Sequence, residues 1–176
     1  MSHVAFLRSI NVGGHNRVTM EALRGVFVGL GHGAVKTYVQ SGNLWFTPVA
    51  VTDNVSVAAG IEAAILDKLG LSVPVVVRTR SALAEVVAAG PYPGADPSIV
   101  MVVLLRDAPS DAQIATLDPA RSPPDECVVR GREVYCHCPR GFAKTKLTLD
   151  WLENRLGTVG TARNWRTVTT MAAGGQ

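Results

Sequence analysis

The sequence predicts an α+β fold: a ferredoxin-like βαββαβ first half, then a second, incomplete βαββα half with a C-terminal helical segment. Short apolar or β-branched runs alternate with segments of helical period, and their order in residues 1–80 nearly recurs in residues 81–176. The 176 residues are 47% hydrophobic and 18% charged, enough to bury a core but too few for a multidomain assembly. We therefore expect two halves packed as one compact unit, duplicated in topology but without repeated sequence words.

The first half begins with a strand, a loop and a helix. Residues 4–10 are typical of a short buried strand, and the Gly- and Asn-rich residues 11–16 are typical of a loop. Thr19 is suited to cap a helix whose apolar residues share one face, namely Met20, Leu23, Phe27 and Leu30. The glycine-rich residues 29–33 end this helix.

A hairpin, a second helix and a fourth strand complete the first half. Residues 35–40 and 44–47 have strand character and flank a turn of two or three residues at Ser41–Asn43. Residues 54–69 carry apolar side chains at four-residue steps, and residues 73–78 are typical of a strand. This order predicts a four-stranded antiparallel sheet with two helices on one face, in which the first and third strands are central.

The second half repeats this order without the last strand. The predicted elements are a helix at 81–89, a strand at 99–106, a helix with a Ser110–Gln113 capping box, a hairpin of 127–129 and 133–138, and a helix at 146–156. The segment Thr161–Thr167 is interpreted as a capped terminal helix, with Thr161 as its N-cap and Trp165 packed on the domain.

The chain is basic at both ends and acidic in the middle. Its net charge of +3 divides into +3 for residues 1–52, −4 for residues 53–120 and +4 for residues 121–176. So small an excess does not indicate nucleic acid by itself, but the two ends would form one positive surface if they met. The alternative is that these charges are scattered, solvated positions.

The composition does not indicate a membrane protein or a secreted one. No apolar run approaches the ~20 residues that a membrane-spanning helix needs, and Arg8 interrupts the N-terminal apolar stretch before a signal-peptide core could form. The three cysteines are an odd number and do not indicate a disulfide framework. We expect a cytoplasmic protein with reduced thiols.

The common catalytic signatures are absent from the sequence. It contains no Gly-Lys dipeptide of a P-loop, no His-Glu-x-x-His and no Cys-x-x-Cys. Gly29–Gly33 resembles a dinucleotide-binding turn, but it ends a helix instead of opening one. Cys136 and Cys138 share one strand face and His137 takes the other, so we expect buried apolar thiols without a metal, redox or cofactor role.

A first polar cluster follows the first strand. Arg8 offers a planar fork for a carboxylate or phosphate, Asn11 and Asn16 offer donors and acceptors, and Gly13 and Gly14 let backbone N–H groups approach a ligand. The segment also leads into a helix N-terminus, which favours anions. The alternative is that the glycines only turn the chain and Arg8 pairs with an acid.

Two further clusters are candidates for the same site. Gln40, Ser41, Gly42 and Asn43 form one, although a hairpin turn also accounts for Gly42 and Asn43. Arg163 and Asn164 form the other, although a capped terminal helix also accounts for them.

Three sequence words, Leu7–Asn16, Thr37–Asn43 and Thr161–Thr167, occur in this order and together resemble the bacterial domain-of-unknown-function family 1697 (DUF1697). The resemblance extends over nearly the whole chain. The family usually has glycine where this chain has Ser9. The resemblance implies a compact bacterial cytoplasmic protein of ferredoxin-like fold, and it implies no activity.

These observations support one leading hypothesis and two alternatives. The leading hypothesis is that the Arg8–Asn16 loop and the Ser41–Asn43 turn form a recess that binds a small phosphate- or carboxylate-bearing ligand, with no reaction assigned. On this hypothesis, Arg8→Ala lowers the stability of the fold little and weakens the binding of the ligand. The alternatives are RNA or single-stranded nucleic acid stacked on Phe6 and Trp45 of an open sheet face, and a non-catalytic, homo-oligomerising interaction module.

Overall fold

The computed structural model describes residues 2–11, 13, 16–50 and 53–174, and it divides the chain into two compact units. The first unit comprises residues 1–84 with 170–176, and the second comprises residues 85–169. Within the described ranges, no helix has the length and apolar character needed to cross a membrane.

The first unit is a four-stranded antiparallel sheet with two helices packed against it. Its elements are β1 (His3–Leu7), α1 (Met20–Gly29), β2 (Gly33–Tyr38), β3 (Asn43–Thr47), α2 (Asn54–Leu69) and β4 (Val75–Thr79). The strand order is β2-β3-β1-β4, with β1 and β3 in the centre, and all neighbouring strands are antiparallel. The predicted βαββαβ order of the first half is therefore confirmed.

Capping side chains set the N-terminal starts of the two helices. The Thr19 hydroxyl accepts the Ala22 N–H at 3.1 Å, which confirms the predicted start of α1. The Asp53 carboxylate accepts the N–H groups of Val55 and Ser56 at the start of α2. Alternate residues of β1 and β4 pack with both helices in one apolar core, which includes Ala5, Leu7, Leu23, Phe27, Ile61, Ile65, Val75 and Val77.

The second face of this sheet is also buried. Val4 pairs with both Trp45 and Arg78 across the strands, and Phe6 pairs with Val76. Phe6 is 0% exposed and Trp45 is 8% exposed, and the Trp45 indole N–H donates to the Met171 carbonyl at 2.8 Å. These two side chains are therefore not exposed for base stacking in the described fold. Binding of nucleic acid elsewhere on the protein stays an alternative.

The second unit has the same sheet topology. Its elements are β5 (Val100–Leu105), α4 (Asp111–Ile114), β6 (Glu126–Arg130), β7 (Glu133–His137), α5 (Leu149–Leu156) and β8 (Gly160–Asn164). The strand order is β6-β7-β5-β8, and the pairs are again antiparallel. Two further helices, α3 (Arg80–Ala88) and α6 (Trp165–Ala173), follow β4 and β8 directly.

The prediction that the second half lacks its final strand is wrong, because residues 160–164 form β8. This segment has few β-branched or large apolar residues, so its propensity for a strand is weak, and its pairing with β5 determines its conformation. Gly160 is closely packed, since a Cβ there would lie 3.0 Å from Val103 Cγ1. Thr161 consequently lies in a strand, and the cap of α6 is Asn164, whose Oδ1 accepts the Thr167 N–H at 2.8 Å.

The duplication is visible in residues as well as in topology. Val4 of β1 pairs with Arg78 of β4, and Val102 of β5 pairs with Arg163 of β8, so one arginine occupies the same register in each last strand. The next residue caps the following helix in both units: the Thr79 hydroxyl accepts the Ala82 N–H just as Asn164 caps α6.

A glutamate and an arginine also recur at equivalent positions. In each unit a glutamate accepts the backbone N–H of the first residue of the last strand. Glu62 Oε1 accepts the Val75 N–H of β4 at 2.7 Å, and Glu153 Oε1 accepts the Gly160 N–H of β8 at 2.8 Å. The residue after the first strand of each unit is an arginine, and its backbone N–H donates to a carbonyl in the segment before the last strand. Arg8 donates to the Pro74 carbonyl at 2.9 Å, and Arg106 donates to the Val159 carbonyl at 2.8 Å. These shared residues indicate that the two units are versions of one structural repeat.

A substitution at Gly42 tests how the β2–β3 turn packs against the end of β1. Its φ is +71°, and a Cβ there would lie 2.8 Å from Leu7 Cβ and 3.0 Å from Ile10 Cγ1. We expect Gly42→Ala to lower the free energy of unfolding by about 2–4 kcal/mol, through left-handed strain and overpacking together. Denaturant unfolding measures this.

The matched control is Gly60→Ala in α2, where the added Cβ meets nothing within 4 Å apart from its chain neighbours and the backbone of its own helix. This change should raise the free energy of unfolding by about 0.5–1 kcal/mol, because alanine is the better helix former. Equal effects of the two substitutions would contradict the packing described at Gly42.

Candidate functional site

The side chain of Asn11 joins three segments of the first unit. Its Nδ2 donates to the carbonyls of Val18 and Gln40, both at 2.9 Å, and its Oδ1 accepts the Val18 N–H at 2.9 Å. Asn11 therefore ties the exit of β1 to the residues before α1 and to the β2–β3 turn. Since these hydrogen bonds occupy its amide within the protein, its contribution to a site is to position the surrounding walls.

The loop that follows β1 closes on itself in left-handed conformations. The Asn11 N–H donates to the Asn16 carbonyl at 3.3 Å, and Asn16 Nδ2 donates to the Ser9 carbonyl at 3.2 Å. Ser9, Asn11, Gly13 and Asn16 have φ values of +54°, +55°, +59° and +47°. Glycine and asparagine adopt this conformation readily.

The β2–β3 turn contains four residues, 39–42, and not the two or three predicted, because Tyr38 pairs directly with Asn43. The Gly42 carbonyl accepts the Leu7 N–H at 2.8 Å. Asn43 is buried, and its Nδ2 donates to the Ser41 hydroxyl at 2.9 Å and to the Tyr38 carbonyl at 3.2 Å. Gly42 and Asn43 thus build the turn and fix it against the end of β1.

An open recess of about 520 Å³ lies where this loop, the turn and the start of α1 meet. We call it the α1 recess, and its described lining residues are Asn11, Arg17, Val18, Thr19, Met20 and Gln40. None of these six is acidic, and Arg17 is exposed. The first N–H groups of a helix lack intrahelical acceptors and carry partial positive charge, so this end of α1 and Arg17 both favour an anion.

The structure brings together only part of the predicted site. Asn11 lines the α1 recess, while Gly42 and Asn43 support the turn beside it. Gly14 lies outside the described residues, as do Val12 and His15.

Two lining residues, Arg17 and Thr19, were missed as site residues, whereas Gln40 belongs to the predicted Gln40–Asn43 cluster. The available signal was a cation two residues before a predicted N-cap, which places a positive charge beside a helix N-terminus.

Arg8 is not among the described lining residues of the α1 recess. It is half-buried with Nε enclosed, and it is engaged by other groups of the chain. Its equivalent in the second unit, Arg106, shares these features. A contact between Arg8 and a ligand stays a prediction, but the structure gives Arg8 a role in the fold, so Arg8→Ala is now expected to lower stability.

Arg163 and Asn164 lie on β8 in the second unit. Arg163 Nη1 donates to the Thr161 hydroxyl at 2.6 Å and to the Ala162 carbonyl at 2.7 Å, and burial lowers the pKa of Arg163 to about 10. Asn164 is occupied as the cap of α6. Their participation in a site with the N-terminal loop stays a prediction.

The cysteines lie on one face of the β6–β7 hairpin. Cys127 pairs with Cys136 across the strands, Cys136 and Cys138 are buried, and Cys127 is half-buried. Burial is the main cause that raises the pKa of all three thiols, so they are protonated at neutral pH. In the part of the chain that the structure describes, no three His, Cys, Asp or Glu side chains are arranged to hold a metal ion.

Comparison with protein families identifies the group to which this sequence belongs. A family model described as "Protein of unknown function (DUF1697)" matches residues 1–135. The chain belongs to the DUF1697 family. The predicted family is thereby confirmed, and two of the three words that carried the resemblance, Leu7–Asn16 and Thr37–Asn43, lie within the matched residues. No curated protein shows significant similarity to this family member.

The fold of this DUF1697 member is similar to that of a solved bacterial structure. The conserved bacterial protein SP0830 from Streptococcus pneumoniae is 19% identical, with a TM-score of 0.75. The similarity covers 98% of this chain and 97% of that chain. At this identity the comparison shows the fold alone.

The hydrogen bonds of Asn11 give the second test. Asn11→Gly removes all three side-chain bonds while glycine tolerates the φ of +55°. We expect the free energy of unfolding to fall by about 2–4 kcal/mol, at ~0.5–1.5 kcal/mol per hydrogen bond. The measurement is denaturant unfolding.

Asn16→Gly is the matched control, because Asn16 also has a positive φ but its side chain makes one exposed hydrogen bond of 3.2 Å. Its cost should stay below about 1 kcal/mol. If Asn11→Gly is no more destabilising than Asn16→Gly, the three segments are not held by the Asn11 amide.

Proposed function

We propose that the α1 recess binds a small anionic ligand that carries a phosphate or carboxylate group. The observation that carries the proposal is a recess whose described lining residues are all non-acidic, located at the N-terminus of α1 and bordered by Arg17. Its volume of about 520 Å³ lies within the range of small-molecule sites. No reaction is assigned to it.

The α1 recess offers three kinds of polar group to such a ligand. Arg17 provides a planar, permanently charged donor that can hold two anion oxygens at once. The first-turn N–H groups of α1 supply further donors, as helix N-termini do in many phosphate sites. The Gln40 carboxamide can donate or accept, which suits a neutral polar group on the rest of the ligand.

The net positive charge of the surrounding residues also favours an anionic ligand. Residues 1–52 contain Arg8, Arg17, Arg24 and Lys36 but only one acidic residue, Glu21. Glu21 lies in the first turn of α1 and is exposed, and it is not among the described lining residues of the recess. A net positive segment raises the local concentration of anions and the rate at which they arrive.

The test is a calorimetric titration of the protein with inorganic phosphate and with malonate. Because Arg17 is exposed, Arg17→Ala should leave the free energy of unfolding within about 0.5 kcal/mol of the parent value. It should weaken anion binding by about 1.5–3 kcal/mol, the range for hydrogen bonds to charged groups.

Arg24→Ala is the control for charge alone. Arg24 lies on α1, is exposed and donates to the Thr37 hydroxyl at 3.2 Å, but it does not belong to the described lining of the recess. Its replacement removes the same charge and should change binding little. Equal losses in both variants would indicate non-specific attraction, and no binding of either anion by the parent protein would refute the proposal.

A further inference from the structure

The second unit contains a recess of its own, with an apolar lining and a buried carboxylate. It encloses about 400 Å³ beside β6, and we call it the β6 recess. Its apolar walls include Ile114, Leu117, Cys127, Val129 and Leu147. Asp125, just before β6, lines the same recess.

The β6 recess exists because one helix of the repeat is short. In the first unit, α1 has ten residues and packs against β2 and α2. The equivalent helix α4 has four residues and packs against α5. The helix-side residues of β6, Cys127 and Val129, therefore line a recess where the first unit has a helix.

The carboxylate of Asp125 is buried and held in one orientation. Asp125 is 4% exposed, its Oδ2 accepts the Ser122 hydroxyl at 2.7 Å, and its N–H donates to the Ser122 carbonyl at 2.7 Å. The Ser122 Oγ in turn accepts the Lys146 N–H at 3.0 Å. These bonds fix the Asp125 side chain without using its second oxygen.

The second oxygen, Asp125 Oδ1, is buried without a hydrogen-bond partner among the described residues. A buried carboxylate oxygen left in this way is unfavourable, and a donor from a ligand would satisfy it. Two nearby cations are directed elsewhere: the Arg121 guanidinium lies 5.5 Å from the Trp151 ring centroid, and Arg140 donates to the Pro123 carbonyl at 2.6 Å.

We propose that the β6 recess binds a small organic cation, an ammonium or amidinium group attached to an apolar body. The cationic group would donate to Asp125 Oδ1, and the body would pack on the apolar walls. Asp118 and Glu126 also line the recess, and both are exposed, so the entrance carries charge of the sign that attracts such a ligand. The volume of about 400 Å³ suits a single-ring amine.

The first experiment uses the parent protein and three probes that share a phenylethyl body and differ in the charge of the polar group. We expect 2-phenylethylammonium to bind about tenfold or more tightly than neutral 2-phenylethanol, and 3-phenylpropionate to bind more weakly than either. Cys127 lines the recess, so bound amine should also slow alkylation of Cys127 at fixed pH. Equal affinity for the amine and the alcohol, or amine binding that leaves Cys127 alkylation unchanged, would overturn the proposal.

The second experiment locates the charge that is recognised. Asp125→Asn retains an acceptor for the Ser122 hydroxyl but removes the charge, and it should abolish the preference for amine over alcohol. Asp118→Asn removes an exposed charge at the entrance, and it should change the preference less than about threefold. If Asp118→Asn removes the preference as completely as Asp125→Asn, the recognition is a surface effect and the proposal fails.

The parent-protein comparison decides the proposal even if Asp125→Asn does not fold. Because the β6 recess and the α1 recess consist of different residues in different units, the outcomes for the two sites are independent.

Discussion

The amide of Asn11 is the constraint on which the candidate site depends. Its three hydrogen bonds connect the residue after β1 to the start of α1 and to the β2–β3 turn, so three walls of the α1 recess meet at one side chain. Four residues of the same loop are left-handed, and the surrounding bonds hold the loop in this form. The buried Asn43 performs the corresponding task inside the turn.

The two units show how one repeat gives two different recesses. Both retain the antiparallel sheet order, the arginine after the first strand, and the glutamate that accepts the N–H of the last strand. They differ at the helix that follows the first strand, which has ten residues in the first unit and four in the second. In the first unit the start of this helix borders a recess with Arg17, and in the second its shortness leaves a recess with Asp125. The proposed ligands therefore carry opposite charges.

The sequence predicted the elements that carry strong local signals. The cap at Thr19, the capping box of Ser110 and Gln113, and the apolar period of residues 54–69 each correspond to an observed helix. It failed at β8, where Gly160 and Arg163 have low strand propensity and the pairing partner β5 lies about sixty residues earlier in the chain. Long-range pairing of this kind leaves no local signature.

The lining of the α1 recess only partly matches the residues that the sequence predicted as a site. The glycines and asparagines after β1 correctly indicated a loop, and Asn11, Gly13 and Asn16 in it have positive φ. The sequence could not tell which polar groups are used internally, and Asn11 and Asn43 therefore looked like ligand contacts. Arg17 was overlooked because its position beside the recess depends on the path of the loop.

The most direct test of the account is a titration of the ¹⁵N-labelled protein with inorganic phosphate, followed by amide chemical shifts. We predict saturable shifts concentrated at residues 17–21 and Gln40, with slow exchange of the Asn11 side-chain N–H protons throughout, because that amide remains bonded within the protein. Shifts that spread over the basic surface without saturating, or fast exchange of the Asn11 side chain, would contradict a preformed anion site held by Asn11.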